Sequence, residues 1–403
     1  MSTINYPWIT DKFFGFKLIY VPNLRFPLFI DNWIKYRISD LLETYPTNSL
    51  SWDQLSYDIS NLKNIHYGLI HNGFETTCID VKSDLIPYIK PAYYPKKYTL
   101  LKIGDLILAD ASEDREDVGK SIEIIEEVKQ KTISGLHTIH ARDKVNFIIN
   151  GFKGFYFKSK PMKEQIFKIA NGSKIYGITS SNFNELYMCI PGKLEQERIV
   201  SLMMKIEQRI QTQIKIIEAY SSLMNSICVQ LISKKDENTT IEQCLNCNCS
   251  TIKESDLNET DYGNYPVYGA NGYIRSICTY QEDKTSIGII KDGAGVGKIQ
   301  KLKGKYSILC TMNYLTAKDH YNIDYLFYAL KTKSLKKYVV GSGIPHIYFR
   351  DYKLEKLYIP NDATKINKIV ALLDSINDYI GIEKEHLDRL NKTKKYLLKN
   401  MFC

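Results

Sequence analysis

The sequence predicts an α+β protein: two mixed α/β globular parts and two long helices packed as an antiparallel coiled coil, the whole a pseudo-two-fold internal repeat. Three observations predict it. Between Leu194 and Ile232, apolar residues recur at Ile199, Leu202, Ile206, Ile210, Ile214, Ile217, Tyr220, Met224, Ile227 and Leu231 in steps of three or four. No Pro or Gly interrupts them, so one apolar seam runs along a helix. Between Thr364 and Phe402 a second seam passes through Ile369, Leu373, Ile376, Ile380, Leu387, Leu390, Leu397 and Met401. The segments leading into the helices also correspond. At an offset of 169, Gly172-Ser173 falls on Gly341-Ser342, Ile175 on Ile344, Ile178 on Ile347 and Ile190-Pro191 on Ile359-Pro360. Each helix would be on the order of 55–60 Å long at about 1.5 Å per residue, so each needs a partner for its seam.

In chain order, residues Met1 to about Tyr20 read as an irregular lead-in. The next stretch, VPNLRFPLFIDNWIKYRISDLLE, contains Pro22, Pro27 and Trp33 and reads as strand and turn rather than helix. Between Tyr45 and Ile190, the runs Tyr98–Leu108, His137–Ala141 and Gly154–Phe157 read as strands, and Pro161–Ala170 as a short helix. After the first long helix, Ser233–Thr240 is a polar linker. The second globular part holds Tyr262–Gly272, two turns around a short strand, then the strand-like Ile287–Ile290 and the glycine-rich Gly293–Lys298. The boundaries predicted are a first globular part over 1–190, a central helix over 191–235, a second globular part over 236–360 and a terminal helix over 361–403.

With 403 residues, the chain can bury two cores. A net charge of +9 makes polyanions plausible partners. Its distribution is more informative: from Asp236 to Ile290 acidic residues outnumber basic ones nine to three, and from Lys291 to Leu357 basic outnumber acidic thirteen to five. The second segment therefore offers either a phosphate-facing surface or a merely solvated basic one. Nine Cys, mostly single within apolar stretches, fit reduced thiols in the cytoplasm. Cys244, Cys247 and Cys249 lack a fourth ligand at a zinc-like spacing, so no metal is expected. No apolar run reaches 18 residues and no signal-peptide pattern opens the chain, so a cytoplasmic location is expected.

Several motifs resemble chemistry without completing it. Gly293-Ala294-Gly295-Val296-Gly297-Lys298 suggests a phosphate loop, but Asp292 and Ile299 stand where Gly and Ser or Thr are required. Gln300–Gly304 reads as a turn where a helix is needed. A tight turn between two strands accounts for it better. Asp110, Glu113, Asp114, Glu116 and Asp117 follow no metal-binding spacing and read as a solvated loop. His346 has no nucleophile in a repeated relation to it. No Asp-Pro-Pro-Tyr or Asn-Pro-Pro-Tyr is present, and no catalytic constellation is expected. The paired loops Gly172–Tyr176 and Gly341–His346 remain, either as turns that the fold requires or as small flexible loops reaching phosphates and base edges.

Val21, Pro22, Leu24, Arg25, Phe26, Pro27, Phe29 and Trp33, the Gly104-Asp105-Leu106-Ile107 turn, and the blocks at Tyr262–Gly272, SIGIIKDGAGVGKI and YSILCTMNYLTA together resemble the specificity subunits of type I restriction-modification systems. With the two helices, the resemblance covers nearly the whole chain. It implies two target recognition domains joined by helical spacers and a non-catalytic subunit that reads a bipartite, asymmetric double-stranded DNA target. It also implies two DNA adenine methyltransferase subunits as partners and, in the complete complex, two restriction subunits. S-adenosylmethionine, ATP and Mg would be held by those partners, with no cofactor in this chain. The DNA-contacting candidates are Ser173, Lys174, Tyr176, Lys291, Lys298, Lys301, Lys303, Ser342 and His346. The spacer-packing residues are Ile199, Leu202, Ile206, Ile210, Ile369, Leu373, Ile376 and Ile380. The alternative is a coiled-coil scaffold whose globular parts bind proteins without reading DNA sequence.

Overall fold

A computed structural model describes residues 20–74, 76–79, 85–126, 130–172, 174–233, 235–257 and 263–403. The chain divides into two compact units, Met1–Thr212 with Leu387–Cys403, and Gln213–His386. Both long helices contribute to both units.

In the first unit, strand β1 (Ile34–Arg37), a single helical turn α1 (Ile38–Leu41) and strand β2 (Leu42–Tyr45) follow one another. The helical turn is absent from the sequence reading because four residues are too short to show a period. Then come β3 (Cys78–Ile79), β4 (Leu106–Ala109), β5 (Ser121–Ile124) and β6 (Thr138–Asp143). They form one sheet in the order β2-β6-β4-β5-β3. Strands β4 and β5 are buried throughout, as a sheet covered on both faces requires. A second sheet, Thr132–Ser134, Lys63–Ile65, Tyr88–Ile89 and Leu55–Ser56, lies alongside.

Helix α2 (Phe152–Lys158) corrects the strand expected over Gly154–Phe157. Its Phe152, Phe155, Tyr156 and Phe157 are all buried, so the segment shows no polar face from which a helical period could be read. Helix α3 (Lys160–Ile169) falls where a helix was expected, α4 (Ser180–Asn184) was not foreseen, and β7 (Tyr187–Ile190) pairs antiparallel with β1. Helix α5 (Lys193–Cys228) follows and ends in a wider turn over Val229–Ser233.

The second unit repeats this plan. Strand β8 (Thr239–Thr240), turn α6 (Ile241–Cys244) and strand β9 (Leu245–Cys249) reproduce the order of β1, α1 and β2, and the first of them lies within the expected linker. Strands β10 (Ser286–Ile290), β11 (Ile299–Leu302) and β12 (Met312–Ala317) complete a sheet ordered β9-β12-β10-β11, the connectivity of β2-β6-β4-β5. Residues 300–302, read from sequence as a turn, are thus strand, with the bend at Gly304-Lys305. The block expected as turns around one strand is a hairpin, Tyr265–Gly269 with Gly272–Ile277; Tyr262 lies outside the described residues. Helix α7 (Ile323–Lys331), capped by Asn322, and α8 (Phe349–Tyr352) precede β13 (Lys356–Leu357), which pairs with β8. Helix α9 (Ala363–Asn400) closes the order.

Within each unit the two long helices run antiparallel, and the contacts fix the direction. In the first unit, Glu207 of α5 receives Lys394 Nζ of α9 at 2.6 Å and the backbone N–H of Thr77 at 3.0 Å. In the second, Gln213 donates to the Glu383 carbonyl at 3.1 Å, and the Tyr220 and Tyr379 rings stack 6.2 Å apart. As one helix ascends in number, the other descends. Ile199, with Leu202 and Ile206 packed beside it, belongs to the core of the first unit, where Trp33, Phe152 and Tyr156 meet Leu397, Met401 and Phe402. Ile210 is also buried. Ile369, Leu373, Ile376 and Ile380 lie in the core of the second unit with Met224 and Cys228.

The opening motif has a physical role. Arg25 is bidentate to Glu195 of α5, with both bonds at 2.7 Å, and the Leu24 N–H donates to the Asn400 carbonyl at 2.8 Å. Buried Trp33 packs its ring edge-on to Phe402, 6.5 Å away.

Candidate nucleic-acid interface

In each unit, three loops converge at the end of the central strand pair, held by matching backbone hydrogen bonds. In the first, the turn after β4 is closed by Ala109 N–H to Lys120 O (2.9 Å) and Gly119 N–H to Ala109 O (3.0 Å). In the second, Ile290 N–H to Lys298 O (3.0 Å) and Gly297 N–H to Ile290 O (2.9 Å) do the same. Gly119 and Gly297 take φ of +74° and +79°, a region that disfavours side chains.

A strap crosses each turn. Asn171 and Gly177 exchange both backbone bonds and Ile178 N–H reaches Asp110 O at 2.9 Å; Val340 and His346 likewise exchange bonds and Ile347 N–H reaches Lys291 O at 2.9 Å. The third loop precedes β6 or β12: Asp110 N–H donates to His137 O (3.0 Å), and Lys291 N–H to Thr311 O (2.9 Å). The equivalent positions thus carry unlike side chains: Asp110 against Lys291, His137 against Thr311, Gly177 against His346.

The structure distributes the candidate residues unevenly. Lys291, Lys298, Ser342 and His346 all belong to the converging loops of the second unit, with Lys298 and Ser342 exposed. Lys303 is exposed at the opposite end of the four-residue strand β11, roughly 15 Å from Lys298 at about 3.3 Å per strand residue. Lys301 is committed elsewhere. Its side chain is only 10% exposed, and its ammonium lies 2.6 Å from Asp324 and 3.0 Å from Asp374, inside the unit rather than on a phosphate-facing surface. Burial alone would raise the Asp374 carboxyl's pKa, but the bonds from Tyr328 and Lys301 hold it below its ordinary value.

Lys174 is exposed on the strap of the first unit, and Tyr176 pairs with Ser112 there; Ser173 lies outside the described residues. Arg115 stacks over Phe167 at 3.8 Å and near Tyr176 at 5.7 Å. Lys298→Ala is therefore expected to weaken DNA binding uniformly across sequences and to lower the salt slope by about one. Lys301→Ala is expected to lower thermal stability and leave the slope unchanged. Binding isotherms at several salt concentrations with parallel thermal melts check both.

A cluster that the sequence reading missed lies in the first unit. Three of the chain's seven histidines converge beside the loops. Trp52, His66 and Tyr67 follow at ring distances of 4.5 Å, and Tyr67 presents its face or edge to His71 at 5.9 Å and His137 at 5.3 Å. Burial, with His137 adding to it, pushes the pKa of His66 down to about 4, so that ring is neutral. His71 bonds to the Ala111 carbonyl at 3.0 Å. The signal was spread over 85 residues of sequence and had no repeat partner in the second unit. Cys244 is buried in the core while Cys249 is exposed, and no group of three His, Cys, Asp or Glu among the described residues has a metal-holding arrangement.

Residues 234–392 match the family model of the type I restriction modification DNA specificity domain. The second globular part thus carries a type I restriction modification DNA specificity domain. The type I restriction enzyme MjaVIII specificity subunit of Methanocaldococcus jannaschii is 33% identical over 124 residues, 30% of this chain and 28% of that protein. The EcoprrI specificity subunit of Escherichia coli is 26% identical over 113 residues, 28% of each. The chain thus spans under a third of the length of the curated relatives that it matches.

The fold likeness extends further than the specificity domain. The S subunit of a type I restriction-modification system from M. genitalium superposes with a TM-score of 0.59 at 15% identity, covering 95% of this chain and 99% of that one. A chain from a structure of type I system assembly and conformational transition gives 0.51 at 14% identity, covering 91% and 96%. No described helix is long and apolar enough to cross a membrane.

Proposed function

We propose that this chain is the DNA-specificity subunit of a type I restriction-modification complex and that its two units each read one half of a bipartite, asymmetric target. The observation that carries the reading is the three-loop construction, present twice with the same backbone bonds and with different side chains. A shared scaffold supplies the same approach to a groove, while Asp110 against Lys291 and His137 against Thr311 give each half its own preference.

The chain supplies recognition and positioning, not chemistry. Two DNA adenine methyltransferase subunits bring S-adenosylmethionine and flip the target adenine, and two restriction subunits in the complete complex bring ATP and Mg. Leu223, Leu372, Tyr379 and Ile382, exposed on the long helices, support docking of protein partners there.

The test is co-purification with a methyltransferase followed by mapping of methylated adenines in the host genome. One bipartite motif that disappears when this chain is deleted is the expected result. A stable complex with no motif dependent on the chain would favour a coiled-coil scaffold instead.

A further inference from the structure

His137 stands apart from every other described residue at the converging loops. It is a non-glycine residue with φ of +52°, in the left-handed region, where a side chain persists only when the surroundings hold it. Those surroundings are specific. Its carbonyl receives the Asp110 N–H at 3.0 Å, its Nδ1 lies 3.3 Å from Asp110 Oδ1, and the Tyr67 ring meets it at 86°, 5.3 Å away. Even so, the side chain is 52% exposed. A purely structural turn at this φ is served as well by Gly, and the imidazole adds a polar edge facing outward from a backbone that is fixed on three sides.

The chemistry of that edge follows from its anchor. An ionised carboxylate only accepts, so the bond to Asp110 places a ring proton on Nδ1 and turns Nε2 outward, where it is an acceptor in the neutral form of the ring. On B-DNA the donors that such an acceptor meets in the major groove are the exocyclic amino groups of adenine and cytosine; guanine and thymine present acceptors there.

We infer that His137 is a specificity-determining residue of the first unit, its Nε2 accepting a hydrogen bond from adenine N6 or cytosine N4 in that unit's half of the target. The inference rests on the DNA-reading assignment above and adds to it which residue reads and what class of base it selects. Thr311, at the equivalent place in the second unit, has no ring to offer, so the selection belongs to one half only.

The experiment is selection from a randomised double-stranded DNA library by the full chain in complex with its methyltransferase, comparing wild type, His137→Gly and His137→Asn. Both replacements accept positive φ, so neither strains the loop. In wild type, one position of one half-site is expected to favour an amino-bearing base. His137→Gly should relax that position by about tenfold, within the range that single base contacts command, whereas His137→Asn, whose amide oxygen also accepts, should keep a preference for an amino-bearing base there but redistribute it between adenine and cytosine, with the other half unchanged in both. An unchanged preference in both variants overturns the inference while leaving the bipartite reading intact. Uniform weakening across all sequences also overturns it, because the ring would then be a phosphate contact. A wild-type complex that selects no motif overturns the DNA-reading assignment itself, and this inference with it.

Discussion

Exchange of residues 240–357 for the equivalent segment of a specificity subunit with another target is expected to replace one half of the methylated motif and leave the other half unchanged. The reason lies in how the second unit is built. Its three loops are fastened to β10, β11 and β12, to its own strap and to Ile252 and Tyr268 by bonds that stay within residues 252–347, so the reading surface travels with the exchanged segment. Among the described residues, the strands that frame it also pair only among themselves and with β8 and β9. Each mismatched base pair in a recognised site costs about 1–3 kcal/mol, so a rewritten half-site shifts preference by orders of magnitude over several positions. Methylome sequencing reads this directly; a change in both halves would contradict independent reading by the two units.

Asp105→Ala is expected to destabilise the first unit by about 3–5 kcal/mol, because it removes one member of a buried charged network and leaves the others unpaired. Asp105 is fully buried at the entry to β4. It accepts from His140 Nε2 at 2.8 Å, Arg142 Nε at 2.7 Å, Arg142 Nη2 at 2.8 Å and the Lys102 N–H at 2.7 Å. Burial alone would raise its pKa, but the bonds from Arg142 and His140 prevail and hold it below the ordinary carboxylate range. In acid, therefore, the unfolded chain binds the proton more readily than the folded one. The contribution of Asp105 is complete above about pH 4 and is lost as pH falls through its folded value.

The measurement can be confined to the right unit. Trp33 and Trp52, the tryptophans among the described residues, both belong to it, so fluorescence-detected denaturation follows the first unit. A midpoint unchanged by the substitution would remove the network from the account of stability.

The helices were legible because their seams are long and one-sided. The repeat was legible only in part. Gly172 and Gly341, or Ile190 and Ile359, precede the helices at one constant offset, so the eye finds them. The beginnings of the units also correspond, Ile38-Leu41-Leu42 with Ile241-Cys244-Leu245, but at an offset of 203. The first unit carries extra strands between β2 and β4, including Leu55–Ser56 and Lys63–Ile65, and the register is lost there. What persists is the order of strands in the sheet, which is set by backbone pairing and leaves no mark in side-chain identity.

Charge misled at Lys301 for a related reason. A cluster of lysines in sequence says nothing of which ammonium meets Asp324 and Asp374 once strand β11 packs on α7 and α9. His137 was hidden because what sets it apart is a backbone angle and two contacts distant in sequence, Tyr67 and Asp110.

The two units differ in one respect that bears on how the molecule is made. The second is one uninterrupted run, Gln213–His386, whereas the first closes only when Leu387–Cys403 has been added. During synthesis on the ribosome, the part translated earliest is therefore completed last. In the interval Trp33, Phe152 and Tyr156 await Phe402, and the nascent chain carries an open aromatic face that chaperones and proteases can inspect.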